Sequence, residues 1–292
     1  MYRGFNLKLG DHTFLEAYQP KKQKYSYSFI SENKKFKEKL NTIKEKPEIL
    51  LKNTKKPEVL LENSKNGTKI QNKWFPKIEA DIFISHSHKD LELAKNLAYW
   101  LEDTFRLKSF IDSDVWRYGD DLIKILDDKY SKIQNDSFFD SLLPKENEEH
   151  YNYNIRNQTT SHVHIMLTTA LTNMITNSKA FFFLNTSNSI LNNLIEYGSD
   201  EKKTHSPWIY HELNVIKMIL KLQKKIISSS KQQLLMESID EDLSYDASLK
   251  DLITINNRKL KSWSEKYEQD KFKGGCLSSN SLGCLYEILN LD

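Results

Sequence analysis

The sequence predicts an α/β fold in which a mainly parallel sheet carries helices on both faces, with extra segments at both ends of the chain. From Ala80 onward, short apolar runs alternate with stretches of helical periodicity, which is typical of strands and helices taking turns around a sheet. The chain has 292 residues, of which 38% are hydrophobic. It is therefore long enough to bury a sizeable core and still leave an extension beside it.

The first half of this pattern contains two strands and two helices. Ile82 to Ile84 is predicted as a buried strand, and apolar residues recurring through 94–105 at helical spacing predict the first helix. Residues 108–112 are predicted as the second strand, followed by a loop through Gly119 and a second helix. Residues 130–161 then form a polar insertion, which is predicted to be a surface excursion because it is too long for a plain turn.

The second half repeats the alternation. A helix over 163–174 is predicted to lead into a strand at 180–184, and a loop rich in Asn and Ser follows. Pro207 suits the first turn of the next helix, with Ser206 as its N-cap and the body reaching about Leu222. A fourth strand is predicted near 225–227 and an edge strand near 252–255.

The charge distribution separates the N-terminal segment from the rest. Residues 1–77 hold 18 Lys or Arg against 8 Asp or Glu, a charge of +10, which leaves −7 on the remainder of a chain whose net charge is +3. Within this segment KPEILLKNT at 46–54 is echoed by KPEVLLENS at 56–64. The sequence thus predicts a basic N-terminal extension at 1–79, an α/β domain at 80–260 and a C-terminal extension at 261–292.

Several classes of function are disfavoured by composition. The basic segment lacks a base-stacking aromatic pattern, so a solvated tether is favoured over a nucleic-acid interface. No apolar run reaches the length of a membrane helix, and the N-terminus lacks a signal-peptide core. The two cysteines do not make a disulfide framework and have no partners at metal-ligand spacing. A cytoplasmic protein without a bound metal or a membrane partner is expected.

Candidate functional residues follow the predicted strands at the edge where the carboxyl ends of parallel strands meet, which is the usual ligand crevice of such sheets. They come from the loop after strand one, the loop after strand two and the helix after strand three, and are Ser85, His86, Asp112, Asp114, Trp116, Arg117, Trp208 and Glu212. Trp208 and Glu212 are four residues apart and so share one helix face. No glycine-rich phosphate loop and no Gly-x-Ser-x-Gly turn occurs.

Structural interpretations of the same residues stay open at this point. Glu212 also suits an exposed acid in the first turn of a helix, where the helix dipole favours negative charge. Trp208 also suits plain core packing, His86 and His88 suit a solvated loop, and Asp112 suits a cap for the following turn.

Four segments, in order, carry a resemblance to a known family. DIFISHSHKD, FIDSDVWRYGDDL, SKAFFFLNT and SPWIYHEL resemble the first strand, the BB loop, the third strand and the Trp-x-x-x-Glu helix of the Toll/interleukin-1 receptor (TIR) family, particularly its bacterial members. The resemblance covers about Ala80 to Leu222 and implies a flavodoxin-like sheet. Many members cleave the nicotinamide–ribose bond of NAD⁺, giving ADP-ribose or its cyclic isomers.

The resemblance assigns a role to each matching residue. Glu212 matches the catalytic glutamate, and Trp208 matches the aromatic residue one turn before it. Ser85 and His86 match the strand-one loop that approaches the nucleotide, while Asp112, Asp114, Trp116 and Arg117 match the BB loop. NAD⁺ is then a substrate, and no further cofactor is implied. Bacterial relatives, including Thoeris systems, imply anti-phage defence, self-association and a nucleotide-activated effector as a partner.

Two other functions remain alternatives. A non-enzymatic TIR adaptor would signal through self-association of the BB loop, although an adaptor has no need to keep Trp208 and Glu212. A nucleoside deoxyribosyltransferase-like enzyme would act on nucleosides rather than on NAD⁺.

Overall fold

The computed structural model describes residues 2–10, 14–16, 18, 67–75, 77–131, 151–191, 202–227, 245–272 and 281–291. The chain divides into two units by its internal contacts. The first comprises Met1–Asn41, Ile78–Asp112 and Thr172–Asp292, and the second comprises Thr42–Lys77 and Ser113–Leu171. The duplicated segments at 46–54 and 56–64, and residues 132–150 of the predicted insertion, lie outside the described residues.

The first unit is built on a five-stranded parallel sheet. Its strands are β1 (Arg3–Leu7), β2 (Ile82–Ser85), β3 (Ser109–Ile111), β4 (Ala180–Leu184) and β7 (Ile253–Ile255), in the order β3-β2-β4-β1-β7. A separate antiparallel pair consists of β5 (Lys203–Thr204) and β6 (Tyr245–Asp246).

The helices lie between and after these strands. They are α1 (Gly67–Trp74), α2 (Leu91–Phe105), α3 (Ser113–Leu126), α4 (Tyr153–Asn177), α5 (Pro207–Ile227), α6 (Asn257–Phe272) and α7 (Ser281–Ile288). A 3-10 turn at His88–Asp90 precedes α2, and a π-helical turn at Asp127–Ser131 follows α3. No helix among the described residues combines the length and the apolar character needed to cross a bilayer.

Strand β1 occupies an interior position in the sheet. It pairs in parallel with β4, from Arg3 opposite Ala180 to Leu7 opposite Leu184, and on its other side Phe5 lies opposite Ile253 of β7. The hydroxyl of Tyr2 donates to the Ile175 carbonyl at 2.9 Å and fixes the start of the strand. The sheet therefore extends beyond the predicted 80–260 span into the segment that was expected to be an extension.

One face of the sheet carries the large hydrophobic core. Alternate residues of the strands, among them Phe5, Ile82 and Phe182, pack with α2, α6 and α7. Phe105 of α2 stacks on Trp263 of α6 with ring centroids 3.9 Å apart. Trp263 is fully buried, and its indole N–H donates to the Ser281 carbonyl at 2.8 Å. The segment after residue 260 is therefore part of the core.

The opposite face of the sheet packs against α5. A Cβ atom on Gly4 would lie 3.0 Å from Cγ1 of Ile216 in α5 and 2.5 Å from Cδ2 of Leu252, so only glycine allows this close approach. Phe83, on this second face, lies between Phe110 and Phe181, with centroid distances of 5.3 and 5.7 Å. Helices therefore cover both faces, as the sequence predicts.

The second unit contains a buried acidic residue at its π-helical turn. Asp127 accepts hydrogen bonds from the hydroxyls of Thr159 and Ser131, and Arg156 Nε lies 3.1 Å from its carboxylate. The Asn152 N–H also donates to the Ser131 carbonyl at 2.7 Å. These bonds tie the turn after α3 to the beginning of α4.

Most of the predicted elements are confirmed. The strands at 82–84, 108–112, 180–184 and 252–255 correspond to β2, β3, β4 and β7, and the first helix to α2. Helix α5 begins at Pro207, and Ser206 Oγ accepts from the Ile209 N–H at 3.3 Å, as expected for an N-cap.

Three local predictions are wrong. The loop through Gly119 is part of α3, which begins directly after β3. Gly119 is buried there, and a Cβ on it would lie 3.2 Å from Leu167, so close helix packing explains the glycine. The strand near 225–227 is the last turn of α5, and residues 153–161 of the insertion belong to α4. The polar residues at 153–161 form the first turns of this long helix.

Replacing Phe5 with alanine should destabilise the first unit strongly. Phe5 is fully buried and makes an edge-to-face contact with Phe182 at 5.3 Å. Removing such a ring from a core costs about 3–5 kcal/mol. Urea unfolding followed by tryptophan fluorescence measures the loss. Tyr153→Ala, which removes a ring that is 75% exposed, is the control. Equal effects of the two changes would contradict the interior position of β1.

Candidate functional site

The candidate site lies at the edge of the sheet formed by the carboxyl ends of its strands. Ser85 ends β2, and Asp112 directly follows β3. Because side chains alternate along a strand, and Ile82 and Ile84 face the α2 side, Ser85 points to the opposite face, the one covered by α5. Phe110 of β3 lies on the α5 side of the sheet, and Asp112, two residues later, therefore points to the same side. Glu212, in the second turn of α5, meets both.

Glu212 is the most unusual residue of this site. Its side chain is fully buried, and neither carboxyl oxygen has a hydrogen-bond partner of normal geometry. The Ser85 hydroxyl, also buried, has no such partner either. Buried polar groups in native proteins are almost always paired, so the burial of these two neighbours distinguishes the site from the apolar core around it.

Burial raises the pKa of the Glu212 carboxyl well above its usual value. The negative charge of Asp112 raises this pKa further, while the nearby Ser85 hydroxyl lowers it. Both groups thus lie close enough to Glu212 to act on its charge, although neither contact has the geometry of a full hydrogen bond. Glu212 therefore favours its protonated form more than an ordinary glutamate does, and the charge of Asp112 contributes to this preference.

His86 forms a buried ion pair with Asp112. Its Nδ1 lies 2.9 Å from Asp112 Oδ1, and both side chains are buried. Burial lowers the pKa of His86, but the charge and hydrogen bond of Asp112 outweigh it, with the Ile84 carbonyl and Asp90 adding to the increase. The net pKa of His86 is above its ordinary value. The histidine therefore favours its charged form more than a solvated histidine does, and it pairs with Asp112 at the edge of the sheet where Glu212 lies.

A second set of bonds ties the surrounding loops together. The Thr186 hydroxyl donates to Asp90 Oδ2 at 2.5 Å, and Asn188 Nδ2 donates to Oδ1 at 2.7 Å. Asn185 Nδ2 donates to the buried Asn6 Oδ1 at 2.9 Å. The segments after β2 and β4 are thus joined, and β1 is joined to the segment after β4. These bonds hold the carboxyl edge of the sheet in one arrangement.

The structure brings together four of the eight predicted site residues, namely Ser85, His86, Asp112 and Glu212. Trp208 is half-buried in the first turn of α5, one turn before Glu212. The expected loop that carries Asp114, Trp116 and Arg117 is instead part of α3, in the second unit. The side chains of 114–118 lie outside the described residues, so their substrate contacts remain predictions.

Two structural interpretations from the sequence are wrong. Glu212 is not an exposed acid at a helix end, because its side chain has no exposed surface. His86 is not in a solvated loop, since it is buried in the ion pair with Asp112, whereas His88 is exposed.

Sequence reasoning missed the residues contributed by β1. Asn6 and Lys8 lie at the carboxyl edge of the sheet because β1 is an interior strand. The signal that was available is the alternation of Phe5, Leu7 and Leu9, which has the period of a strand with one buried face.

Comparison of the chain with protein-family models, curated proteins and solved structures finds no match. The resemblance to TIR domains thus rests on the four sequence segments alone and remains a prediction. What the structure shows is an α/β fold with a parallel five-stranded sheet. Among the described residues, no group of three or more His, Cys, Asp or Glu side chains is arranged to hold a metal ion.

Replacing Glu212 with glutamine should make the stability of the protein less dependent on pH. The folded-state pKa of Glu212 is raised, so between the unfolded-state pKa and the folded-state pKa only the folded chain holds this proton. Stability from this group is therefore lost as pH rises through that window, by about 1.4 kcal/mol per pH unit. Glutamine stays neutral and removes this slope.

Urea unfolding at several pH values above 4.5, compared with the wild type, measures the effect. Glu265→Gln, on an exposed position of α6, is the matched control and should keep the wild-type slope. A Glu212→Gln protein with the same pH dependence as the wild type would show that Glu212 ionises normally.

Proposed function

We propose that this protein cleaves the nicotinamide–ribose bond of NAD⁺, with Glu212 as the carboxylate that stabilises positive charge on the ribose. The observation that carries the proposal is a fully buried carboxyl group with two unsatisfied oxygens at the ligand-binding edge of a parallel sheet. A strongly shifted carboxyl beside a second acid is characteristic of functional sites. The resemblance of four sequence segments to TIR domains implies NAD⁺ as the substrate.

The chemistry requires a carboxylate close to the reacting carbon. The bond between the ribose carbon and the nicotinamide nitrogen breaks, its electron pair stays on nitrogen, and neutral nicotinamide leaves. Positive charge develops on the ribose, where a carboxylate in a site of low dielectric stabilises it strongly. Attack by water or another oxygen nucleophile then forms the new bond, as in glycoside cleavage.

The raised pKa of Glu212 fits this chemistry because the substrate is a cation. A positive charge brought next to a carboxyl group lowers its pKa and favours the ionised form. NAD⁺ carries that charge on its nicotinamide ring, so binding of the substrate promotes ionisation of Glu212. A neutral ligand would not lower this pKa.

Access to Glu212 requires movement. A side chain with no exposed surface contacts a substrate only when its neighbours shift, so the proposal requires that the site opens. In this proposal half-buried Trp208, one helical turn away, stacks on the nicotinamide or on a base. Self-association and a downstream effector rest on the resemblance alone.

Glu212→Gln should reduce nicotinamide release by about a hundredfold or more, as expected when a charge-stabilising group is lost. Purified full-length protein is incubated with NAD⁺, and nicotinamide and nucleotide products are separated by chromatography. Glu265→Gln is the control and should retain wild-type activity. Nucleosides offered in place of NAD⁺ test the deoxyribosyltransferase alternative.

Equal nicotinamide release by the wild type and Glu212→Gln would contradict the assignment of Glu212. If neither the purified protein nor cells that overproduce it consume NAD⁺, the proposed activity is wrong and the adaptor function is favoured.

Asp112→Asn should move the pH dependence of kcat/KM toward lower pH. Burial is the largest cause of the raised pKa of Glu212, but repulsion from Asp112 comes next, and asparagine removes that charge. The Glu212 pKa then falls, so the ionised form and the activity appear at lower pH. Asp246→Asn, at an exposed position of β6, serves as the control. An unchanged or upward-shifted profile would exclude electrostatic coupling of the two acids.

A further inference from the structure

A pair of asparagines lies at the same edge of the sheet as the candidate site. Asn6 is in β1, Asn185 directly follows β4, and the Asn185 amide N–H₂ donates to Asn6 Oδ1 at 2.9 Å. Asn6 is 3% exposed, and this is the hydrogen bond that its side chain makes among the described residues. The bond uses the amide oxygen of Asn6, so the amide N–H₂ group of Asn6 has no partner in the described ranges.

The register of the sheet places Asn6 on the same row and the same face as Ser85. Phe183 of β4 lies opposite Ser85 on one side and opposite Asn6 on the other. The neighbours Phe5 and Leu7 belong to the core on the α2 side, so alternation along β1 turns Asn6 toward α5. Ser85 points the same way, two strand spacings or about 10 Å from Asn6.

Helix α5 runs antiparallel to β1. Late in this helix, the side-chain amide of Gln223 lies 3.0 Å from the carbonyl oxygen of Tyr2, just before β1 begins. About two turns earlier, Ile216 approaches Gly4, where an added Cβ atom would be 3.0 Å from Ile216 Cγ1. Residues earlier in α5 therefore lie over residues later in β1.

The same progression brings Glu212 to the level of Asn6. Glu212 comes four residues before Ile216, a step of about 6 Å along the helix. Asn6 comes two residues after Gly4, a step of about 7 Å along the strand in the same direction. The carboxyl of Glu212 and the amide of Asn6 therefore lie at one level between the sheet and α5, and each has polar atoms without a described partner.

We infer that Asn6 and Asn185 form a subsite that hydrogen-bonds the hydroxyl groups of a second sugar ring in the substrate. An amide N–H₂ donates and an amide oxygen accepts, which matches the mixed donor and acceptor character of a sugar diol. Neither residue is charged, and the buried donor of Asn6 gains a partner when a hydroxyl binds. The assignment of this sugar to a dinucleotide rests on the proposed function, whereas binding of a sugar diol does not.

The position of the pair agrees with a dinucleotide. In NAD⁺ a diphosphate joins the nicotinamide ribose to the adenosine ribose, and this bridge can extend over the distance of about 10 Å that separates β2 from β1. With the reacting ribose beside Glu212, the adenosine ribose reaches β1. Asn6 is thus expected to set the affinity for the adenosine half of the substrate and to leave the chemical step unchanged.

Binding of ADP-ribose tests the subsite without any catalytic step. Titration calorimetry on the full-length protein compares ADP-ribose with the analogue whose adenosine ribose lacks both hydroxyls. The wild type should bind ADP-ribose about tenfold more tightly than the analogue, and Asn6→Ala should bind both with the weaker affinity, because the hydrogen bonds to the diol are lost. Asn173→Ala, at an exposed position of α4, is the matched control and should keep the wild-type preference. A wild type without this preference, or Asn6→Ala with it, overturns the subsite.

Asn185→Ala is a second test at a half-buried position, and it decides the matter if urea unfolding shows that Asn6→Ala does not fold. This change removes one amide of the pair and the bond that holds Asn6. The preference for ADP-ribose over the analogue should therefore fall several-fold. An unchanged preference overturns the role of the pair.

Kinetics with two substrates tests the assignment to a dinucleotide. Asn6→Ala should raise KM for NAD⁺ about tenfold with little change in kcat, and should leave cleavage of nicotinamide mononucleotide, which has no second sugar, unchanged. If NAD⁺ is cleaved and its KM is unchanged in Asn6→Ala, the assignment is overturned while the proposed function stands. If ADP-ribose binding depends on Asn6 while the wild type cleaves no NAD⁺, the subsite stands and the proposed function fails.

Discussion

Parallel pairing of β1 with β4 on one side and β7 on the other is the constraint on which the sheet depends. Among the described residues, β1 is the one strand that pairs with β7 in this sheet, so β7 depends on β1 for its position. The same strand sends Phe5 into the core shared by α2, α6 and α7, and its Gly4 lets α5 approach the opposite face. Because α5 carries Glu212, the position of the candidate site follows from a strand more than two hundred residues earlier in the chain.

The electrostatics of the site follow from burying two acids and one base together. His86 compensates the charge of Asp112 through a contact of 2.9 Å, so one negative charge is stable in this environment. Burial and the charge of Asp112 both disfavour a second negative charge on Glu212, so the pKa of Glu212 is raised. A cationic ligand is the simplest addition that balances a second carboxylate.

The sequence predicts the repeating part of this fold well because strands and helices with buried faces leave a periodic pattern. Strands β2 and β4 are short, fully buried apolar runs, and α5 begins at a proline after a serine cap. Strand β1 is different, since local periodicity shows a strand but cannot show which distant strands it pairs with. The site was predictable in part for the same reason. Strand ends identify Ser85 and Asp112, whereas the burial of Glu212 depends on tertiary packing.

Packing alone does not explain a carboxyl group at position 212. A neutral side chain of similar size would fill the same volume without an unfavourable buried charge, and helix α5 already has buried Ile209, Leu213 and Ile216 to hold it on the sheet. A group whose ionised form is disfavoured by its surroundings is expected where function requires it. The low dielectric that makes ionisation of Glu212 costly also strengthens its attraction to a developing cation. Under the proposed function, the raised pKa of Glu212 and the stabilisation of a positively charged transition state are therefore two consequences of the same burial.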